Sequence, residues 1–224
     1  MPGPLSGIKV VDFTRVLAGP HFTKMLCDLG AKVIKIEPPK SGDISRIGFP
    51  VSGDFSHYFV QQNAGKICIS VDLNMDVGRE IVKKLCIDAD IVAENFRPGT
   101  LKPFELDYDS VSAVNSKAVY VSISGYGQTG PYRGRAAFAP TVQAECGTAN
   151  AVFKHVGVKD DNFENMYSDF SHADVYTGLE ATVACLAALH ESQKTGQGQH
   201  IDVSMAATML AVNEKAHAEL AGLD

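Results

Sequence analysis

The sequence lacks the features that direct a chain to a membrane, to secretion or to nucleic acid. No apolar run approaches the ~18 residues of a membrane span, and the N-terminal "MPGPLSGIKVVDF" has no basic region followed by an apolar core. Lysine and arginine (20) are fewer than aspartate and glutamate (26), which gives a net charge of -6. This balance argues against a general nucleic-acid binder, and neither a nucleic acid nor a membrane is expected as a partner.

Cysteine is sparse and shows no CxxC spacing. The five cysteines are scattered and lie mostly inside apolar runs, at Cys27, Cys68, Cys86, Cys146 and Cys185. That distribution is typical of reduced core thiols, so we expect a cytoplasmic protein. With 45% hydrophobic residues among 224, the chain can bury one substantial core.

Apolar strands and amphipathic helices alternate along the chain. Five stretches predict strands: "KVVDF", "KVIKIE", "KICISVD", "DIVAENF" and "AVYVSISG". Helices are predicted between them, in "HFTKMLCDLG", "VGREIVKKLCIDA" and more weakly in "DYDSVSAVN". The alternation predicts an α/β fold with a Rossmann-like, doubly wound and mostly parallel sheet. Because such sheets bind ligands at the carboxyl ends of their strands, we expect a site at loops 14–20, 95–99 and 125–130.

The stretch "GYGQTG" (125–130) satisfies the GxGxxG pattern of a dinucleotide site. Its context disfavours that function, because "PYRGRAAF", broken by proline and glycine, stands where a helix should begin. No strand that ends in an acidic residue follows at the required distance. We therefore interpret the stretch as a tight turn.

The stretch "SDFSHADVYTG" (168–178) places two aspartates, two serines and a histidine ahead of a long apolar run. Helical spacing predicts a helix of about five turns from near Ser171, through Tyr176, Leu179, Val183, Leu186 and His190. Ser171 and Asp174 are spaced like a capping pair, and the helix dipole favours a carboxylate in the first turn. On local pattern alone, capping is the favoured role of Asp174.

The same stretch could supply metal ligands from Asp169, His172 and Asp174. Offsets of three and five residues do not place these side chains on one helical face, and no second ligand cluster occurs elsewhere. No metal is expected.

Four ordered stretches together resemble the class III CoA-transferase family: "PLSGIKVVDFTRVLAGPHFTKMLCDLGAKVIKIEPPKSGD", "ADIVAENFRPG", "VSISGYGQTGPYRGRAAF" and "KTGQGQHIDVSM". The similarity runs from Leu5 to about Asn213, and the family includes formyl-CoA transferase, carnitine CoA-transferase and the α-methylacyl-CoA racemases. It implies transfer of coenzyme A between an acyl-CoA and a carboxylic acid, without a metal.

The resemblance implies that Asp174 is the nucleophile. Transferases of this family use an aspartate that precedes "xxTG" at a helix start, which "DVYTG" places on Asp174, whereas Asp169 lies five residues too early. A carboxylate that attacks a thioester gives a mixed anhydride, and CoA thiolate can reopen this to an enzyme-bound thioester.

The resemblance also implies a set of contacts with coenzyme A. By position these are Val16, Leu17, Ala18, Val71, Asn74, Asn95, Phe96, Arg97, Arg135 and Phe138. The guanidinium groups of Arg97, Arg133 and Arg135 suit phosphate because each offers paired donors.

Several positions depart from named family members. Formyl-CoA transferase has glutamine, arginine and lysine where this chain has Leu17, Pro38 and Asn74, so formyl or oxalyl specificity is not implied. The racemases carry a histidine soon after the "GYGQ" turn, where this chain reads "AAFAP". Because racemisation needs two bases, transfer is favoured over an α-methylacyl-CoA racemase activity.

Family members are considerably longer and have a second, smaller domain. The resemblance therefore implies that residues 1–224 form an incomplete large, N-terminal domain of a class III CoA-transferase. Two hypotheses follow: an enzyme that acts through Asp174, or a catalytically incomplete CoA-binding or assembly subunit that needs a partner chain. We expect a homodimer or a complex with a partner subunit.

Overall fold

Six parallel strands form the central sheet of the computed structural model, which describes residues 3–48, 50–53, 55–148, 151 and 171–214. The six strands are β1 (Lys9–Asp12), β2 (Lys32–Glu37), β5 (Ile67–Ser70), β6 (Ile91–Glu94), β7 (Val119–Ser124) and β8 (His200–Ser204). Their order across the sheet is β5-β2-β1-β6-β7-β8, and every neighbouring pair is parallel. A separate antiparallel hairpin joins β3 (Val51–Ser52) to β4 (Phe55–Ser56).

Helices cover both faces of this sheet. They are α1 (Ala18–Asp28), α2 (His57–Asn63), α3 (Asp76–Ile87), α4 (Tyr108–Val114), α5 (Ala139–Glu145), α6 (His172–Thr195) and α7 (Met205–Val212). Two short 3-10 turns span Ile44–Ile47 and Lys102–Phe104. Among the described residues, none of the helices combines the length and apolarity that a bilayer crossing requires.

Alternate side chains of the central strands pack into two separate hydrophobic cores, one on each face of the sheet. Val10 belongs to the core that holds Phe22 of α1 and Cys185 of α6, whereas Val11 belongs to the core that holds Val82 of α3. The alternation follows from the period of two in a strand, which turns successive side chains to opposite faces. The predicted doubly wound α/β sheet is therefore confirmed.

Helix α6 does not bury the face that carries the large residues from which it was predicted. Leu179 and Val183 are 44% and 71% exposed, and apart from Leu189 the buried positions are small or short, such as Ala173, Ala181 and Cys185. Small side chains let α1 lie close against α6, as the ridges of one helix fit the grooves of the other. The helix begins where the periodicity predicts but extends to Thr195, beyond the five turns expected.

Other elements differ from the predicted ones in specific ways. Strand β8 and helices α2, α5 and α7 were not predicted, and α1 begins at Ala18, with Pro20 inside its first turn. Proline is tolerated there because first-turn N–H groups have no partner within the helix. Stretch 125–130 consists of bends rather than a tight turn, turn residues follow at 131–134, and the next helix begins only at Ala139.

The cysteines divide between core and surface. All five are free thiols; Cys86, Cys146 and Cys185 are buried, and Cys27 is half-buried. Cys68 on the edge strand β5 is exposed, so the expectation of core thiols is wrong for that residue.

A glycine at the approach to β8 provides a test of the sheet packing. A Cβ at Gly198 would lie 2.0 Å from the carbonyl oxygen of Ala118, which precedes β7. We expect Gly198→Ala to lower the free energy of unfolding by about 1–3 kcal/mol, because the backbone must shift. Denaturant unfolding measures this loss. Gly134→Ala is the control, since its Cβ would meet nothing within 4 Å, and an equal loss in both variants would contradict this packing.

Candidate active site

A cavity of about 270 Å³ opens at the carboxyl edge of the sheet, between the loops that follow β1 and β6. These two strands are neighbours in the sheet, and the strand order reverses between them: the chain passes outwards from β1 to β2 and β5, and later from β6 to β7 and β8. The loops after two such strands turn away from each other and leave a crevice. The cavity therefore lies where a doubly wound sheet is expected to bind a ligand.

Nine of the eleven predicted site residues line this cavity: Val16, Leu17, Ala18, Asn95, Phe96, Arg97, Arg135, Phe138 and Asp174. Val71 and Asn74 do not line it. They follow the edge strand β5, where the Asn74 amide donates a hydrogen bond to Asp72.

Asp174 enters the cavity from the first turn of α6, and a glycine one turn later makes this position accessible. A Cβ at Gly178 would lie 2.8 Å from the carbonyl oxygen of Ala18 and 3.0 Å from the ring of His21. Without that side chain the start of α1 approaches α6 closely. Residues four apart lie on the same face of a helix, so the approach brings the Asp174 carboxylate to the backbone N–H of Ala18.

Burial raises the pKa of Asp174 to about 6, and the hydrogen bond from the Ala18 N–H opposes this rise. Removal from water disfavours the charged form of a carboxyl group more than one amide hydrogen bond stabilises it. The group is thus mostly ionised at neutral pH, yet poorly solvated. A poorly solvated carboxylate is a better nucleophile than one fully hydrated at the surface.

The start of α6 is not capped by its own residues. Ser171 makes no side-chain capping hydrogen bond, so the predicted capping pair is wrong. Instead, the buried side chain of Gln143, from α5, accepts a hydrogen bond of 3.0 Å from the N–H of Ala173. This contact satisfies one of the amides that a helix start leaves without a partner. The Asp174 carboxylate is left to face the cavity.

The side chain of Asn95 binds the neighbouring loop. Its Oδ1 accepts from the N–H of Arg15 and its Nδ2 donates to the carbonyl oxygen of Arg15, both at 2.8 Å. The paired bonds join the loops after β1 and β6 across the point where the strand order reverses. The Arg15 guanidinium also lies 5.1 Å from the centre of the Phe96 ring. Both polar ends of Asn95 are thus engaged by protein.

Arginine side chains give the cavity a positive rim. Arg135 pairs with Glu145 at 2.5 Å and lies against the rings of Tyr126 and Tyr132. Arg97 and Arg133 are exposed, and neither guanidinium forms a hydrogen bond or ion pair with another residue of the described ranges. These two groups can accept an anionic ligand without first giving up a protein partner.

Tyr58 lines the cavity and was not identified from the sequence. It lies in α2, a helix that the sequence pattern did not predict. Burial, followed by the negative charges of Asp174 and Asp43, raises the pKa of Tyr58 to about 12. Its hydroxyl therefore stays protonated at neutral pH and can donate a hydrogen bond beside the carboxylate. A lone tyrosine between glycine-rich turns carries no signal by which sequence patterns could have found it.

The metal alternative involves Asp169, His172 and Asp174. Asp169 lies outside the described residues. Within the ranges that are described, histidine, cysteine, aspartate and glutamate form no group of three or more able to hold a metal ion.

Known proteins resemble this chain in both sequence and fold. The sequence profile of CoA-transferase family III matches residues 5–222. The chain is 39% identical over 216 residues to the succinate–glutarate CoA-transferase of Agrobacterium fabrum, covering 93% of this chain and 52% of that protein. It is 34% identical over 203 residues to the succinyl-CoA–L-malate CoA-transferase beta subunit of Chloroflexus aurantiacus, covering 90% and 49%.

A solved structure gives the same result for the fold. A CAIB/BAIF family protein from Brucella suis superimposes with a TM-score of 0.90 at 37% identity, over 100% of this chain and 59% of that one. The chain thus spans about half the length of the curated relatives it matches.

The raised pKa of Asp174 predicts a pH-dependent cost in stability. Because the folded pKa of about 6 exceeds the ordinary value of 3.8, the folded state holds the proton more tightly. Protonation of Asp174 therefore contributes its full stabilisation of the folded state below the unfolded pKa. That contribution is lost as the pH rises through about 6. Asp174→Asn should therefore raise the free energy of unfolding at about pH 7.5 by up to about 3 kcal/mol, and much less at about pH 4.

Denaturant unfolding at the two pH values measures the difference. Asp88→Asn, at an exposed position at the end of α3, is the matched control and should give a much smaller gain, because its carboxyl group is not buried. Equal effects of Asp174→Asn at both pH values would show that the carboxyl group is not destabilised by burial.

Proposed function

Because the chain belongs to CoA-transferase family III, we propose that it transfers coenzyme A between carboxylic acids, with Asp174 as the nucleophile. The observation that carries the proposal is the position of the Asp174 carboxylate: half-buried, beside a backbone amide, in a cavity rimmed by arginines. A buried carboxylate with raised pKa in a cleft is typical of a functional group.

The proposed reaction has four steps, each of which exchanges one acyl bond. The Asp174 carboxylate attacks the thioester of the donor acyl-CoA, which releases CoA thiolate and leaves a mixed anhydride on Asp174. The thiolate attacks the aspartyl carbonyl, which frees the donor acid and leaves an aspartyl–CoA thioester. The acceptor carboxylate displaces this thiolate to give a second anhydride. The thiolate then attacks its acyl carbonyl, which releases the new acyl-CoA and regenerates Asp174.

Two groups are suited to stabilise the charge that develops in these steps. The N–H of Ala18 already faces the Asp174 carboxylate, and the Tyr58 hydroxyl remains a neutral donor in the same cavity. An oxyanion forms on each attacked carbonyl, and preorganised donors lower its energy in a site that excludes water. We assign Tyr58 as a candidate donor to this oxyanion.

The long CoA molecule is proposed to run outward from Asp174 along the carboxyl edge of the sheet. Leu17, Phe96 and Phe138 offer apolar contacts for the pantetheine arm, and Arg97 and Arg135 suit its phosphates. Val71 and Asn74, farther along the edge, are proposed contacts of the nucleotide end. The names of the relatives, which include succinate, glutarate and L-malate, favour dicarboxylic acids as the acid substrates.

A covalent adduct on Asp174 is the expected signature of this mechanism. The chain is incubated with succinyl-CoA and then with hydroxylamine, which converts an aspartyl anhydride or thioester to a hydroxamate that peptide mass spectrometry can locate. We expect the hydroxamate on Asp174 in the wild-type chain. Asp174→Asn should abolish it because the amide retains a hydrogen-bonding side chain but is not a nucleophile.

Asp169→Asn is the matched control, since it removes the other aspartate of the same stretch and should leave the hydroxamate on Asp174. A hydroxamate that persists in Asp174→Asn, without deamidation back to aspartate, would exclude Asp174 as the nucleophile.

A second candidate function is a CoA-binding or assembly subunit that needs a partner chain. Two observations favour it: the exposed apolar side chains of Leu179 and Val183 on the helix that carries Asp174, and the relative named as a beta subunit. Apolar side chains that cluster on a surface are typical of protein–protein contacts. On this hypothesis the isolated chain binds CoA but forms no adduct until a partner, or a second copy, covers this face.

Self-association through α6 is the outcome expected from that surface. Val183→Lys should weaken the association of the chain in sedimentation equilibrium at micromolar concentration, because a charge replaces a side chain that is 71% exposed. Val114→Lys, which alters a valine 60% exposed on α4 across the sheet, is the control and should have no effect. A wild-type chain that is monomeric throughout this range would contradict the homodimer.

A further inference from the structure

Val16 adopts a backbone conformation that its side chain does not favour. Its φ is +69°, in the left-handed region, where β-branched residues are rare because Cβ crowds the backbone. The position matters because Val16 stands two residues before Ala18, whose N–H faces the Asp174 carboxylate. A conformation so disfavoured persists only where the surroundings hold it.

Buried charges supply the restraint. The N–H of Val16 donates to both carboxylate oxygens of Asp43, at 3.2 and 3.3 Å. The ammonium of Lys35, within β2, lies 3.0 Å from Asp43 and donates at 2.5 Å to the carbonyl oxygen of Thr14. The side chains of Lys35 and Asp43 are both 0% exposed. The Lys35–Asp43 pair thus binds the loop at two residues, Thr14 and Val16.

Asp43 is itself held firmly. Its own N–H donates to Glu37, and it accepts from the N–H and hydroxyl of Ser45 at 3.0 and 2.8 Å. Burial alone would raise the pKa of Asp43, but the charge of Lys35 and the bonds from Ser45 keep it below its ordinary value. The carboxylate is therefore ionised at neutral pH, and a charged acceptor binds the Val16 N–H more strongly than a neutral one.

We propose that Asp43, paired with Lys35, is a positioning residue for the acyl-transfer site. By holding Val16 left-handed, it directs the chain through Leu17 so that α1 begins with the Ala18 N–H aimed at Asp174. Were Val16 to relax to a negative φ, the following peptides would rotate and this amide would turn away. The effect on catalysis rests on the proposed function; the effect on the Asp174 carboxyl group does not.

The test removes both buried charges together, so that neither is left alone. In Lys35→Met/Asp43→Leu we expect the pKa of Asp174 to rise by roughly one further pH unit, since its carboxylate loses the Ala18 hydrogen bond. Carbon-13 NMR of labelled aspartate carboxyls measures this titration, with Asp174→Asn to assign the signal.

A glycine at position 16 should restore the Asp174 titration in the double variant. A role of Asp43 in stability alone would not predict this restoration. Glycine adopts a positive φ without steric cost, so adding Val16→Gly to the double variant should return the Asp174 titration towards the wild-type value. Val16→Gly alone should leave that titration unchanged and raise the melting temperature.

Two further variants supply an alternative test and a control for lost stability. Should the double variant not fold, Val16→Pro tests the same contact with the buried pair intact, because proline has no N–H and requires a negative φ; it should raise the pKa of Asp174 likewise. Asn115→Ala removes two hydrogen bonds, to the carbonyls of Cys86 and Ala89, on the other side of the sheet. It should lower the melting temperature without moving the Asp174 titration.

An unchanged Asp174 titration in a folded Lys35→Met/Asp43→Leu or Val16→Pro variant would overturn the inference. So would a failure of Val16→Gly to restore the titration of the double variant. If the titrations behave as expected but the wild-type chain never forms a hydroxamate on Asp174, the proposed function fails and the positioning role stands.

Discussion

Two buried ion pairs beside the loop that follows β1 hold the geometry on which the cavity depends. Lys66 lies 3.2 Å from Asp12 and Lys35 lies 3.0 Å from Asp43, with all four side chains excluded from water. Such pairs add little net stability, because desolvation offsets most of their attraction, yet the loss of one partner costs about 3–5 kcal/mol. Their contribution is to conformation. Asp12 also accepts from the N–H and hydroxyl of Thr14, so this loop is bound at successive residues.

The same loop helps to enclose the Asp174 carboxylate, the nucleophile of the proposed reaction. Asn95 joins the loop to the end of β6, and Gly178 lets α1 approach α6 until Asp174 is half-buried. Enclosure removes water from the carboxylate and raises its pKa, which opposes stability at neutral pH but makes the group more nucleophilic. The single amide of Ala18 offsets part of that cost. A strained, desolvated site within a stable sheet is the usual arrangement where function and stability conflict.

Close packing around Asp174 also decides which surface α6 leaves open. Alanine, threonine and cysteine face α1 because a large side chain would separate the two helices, so Leu179 and Val183 point outward. The catalytic helix of the proposed site therefore carries an apolar outer face.

The sequence by itself determined the alternation of the first five strands of the sheet with their main helices, the sheet edge that would carry the site, and the helix start that presents Asp174. These are local properties, because they depend on the spacing of apolar residues within each segment and on the residues at its ends. Tertiary structure decided which partners those residues meet: Gln143 rather than Ser171 satisfies the start of α6, and Asn95 binds a loop 80 residues away. It also brought Tyr58 into the cavity. The physical reason is that hydrogen bonds and burial depend on neighbours in space, whereas the period of a segment depends only on neighbours along the chain.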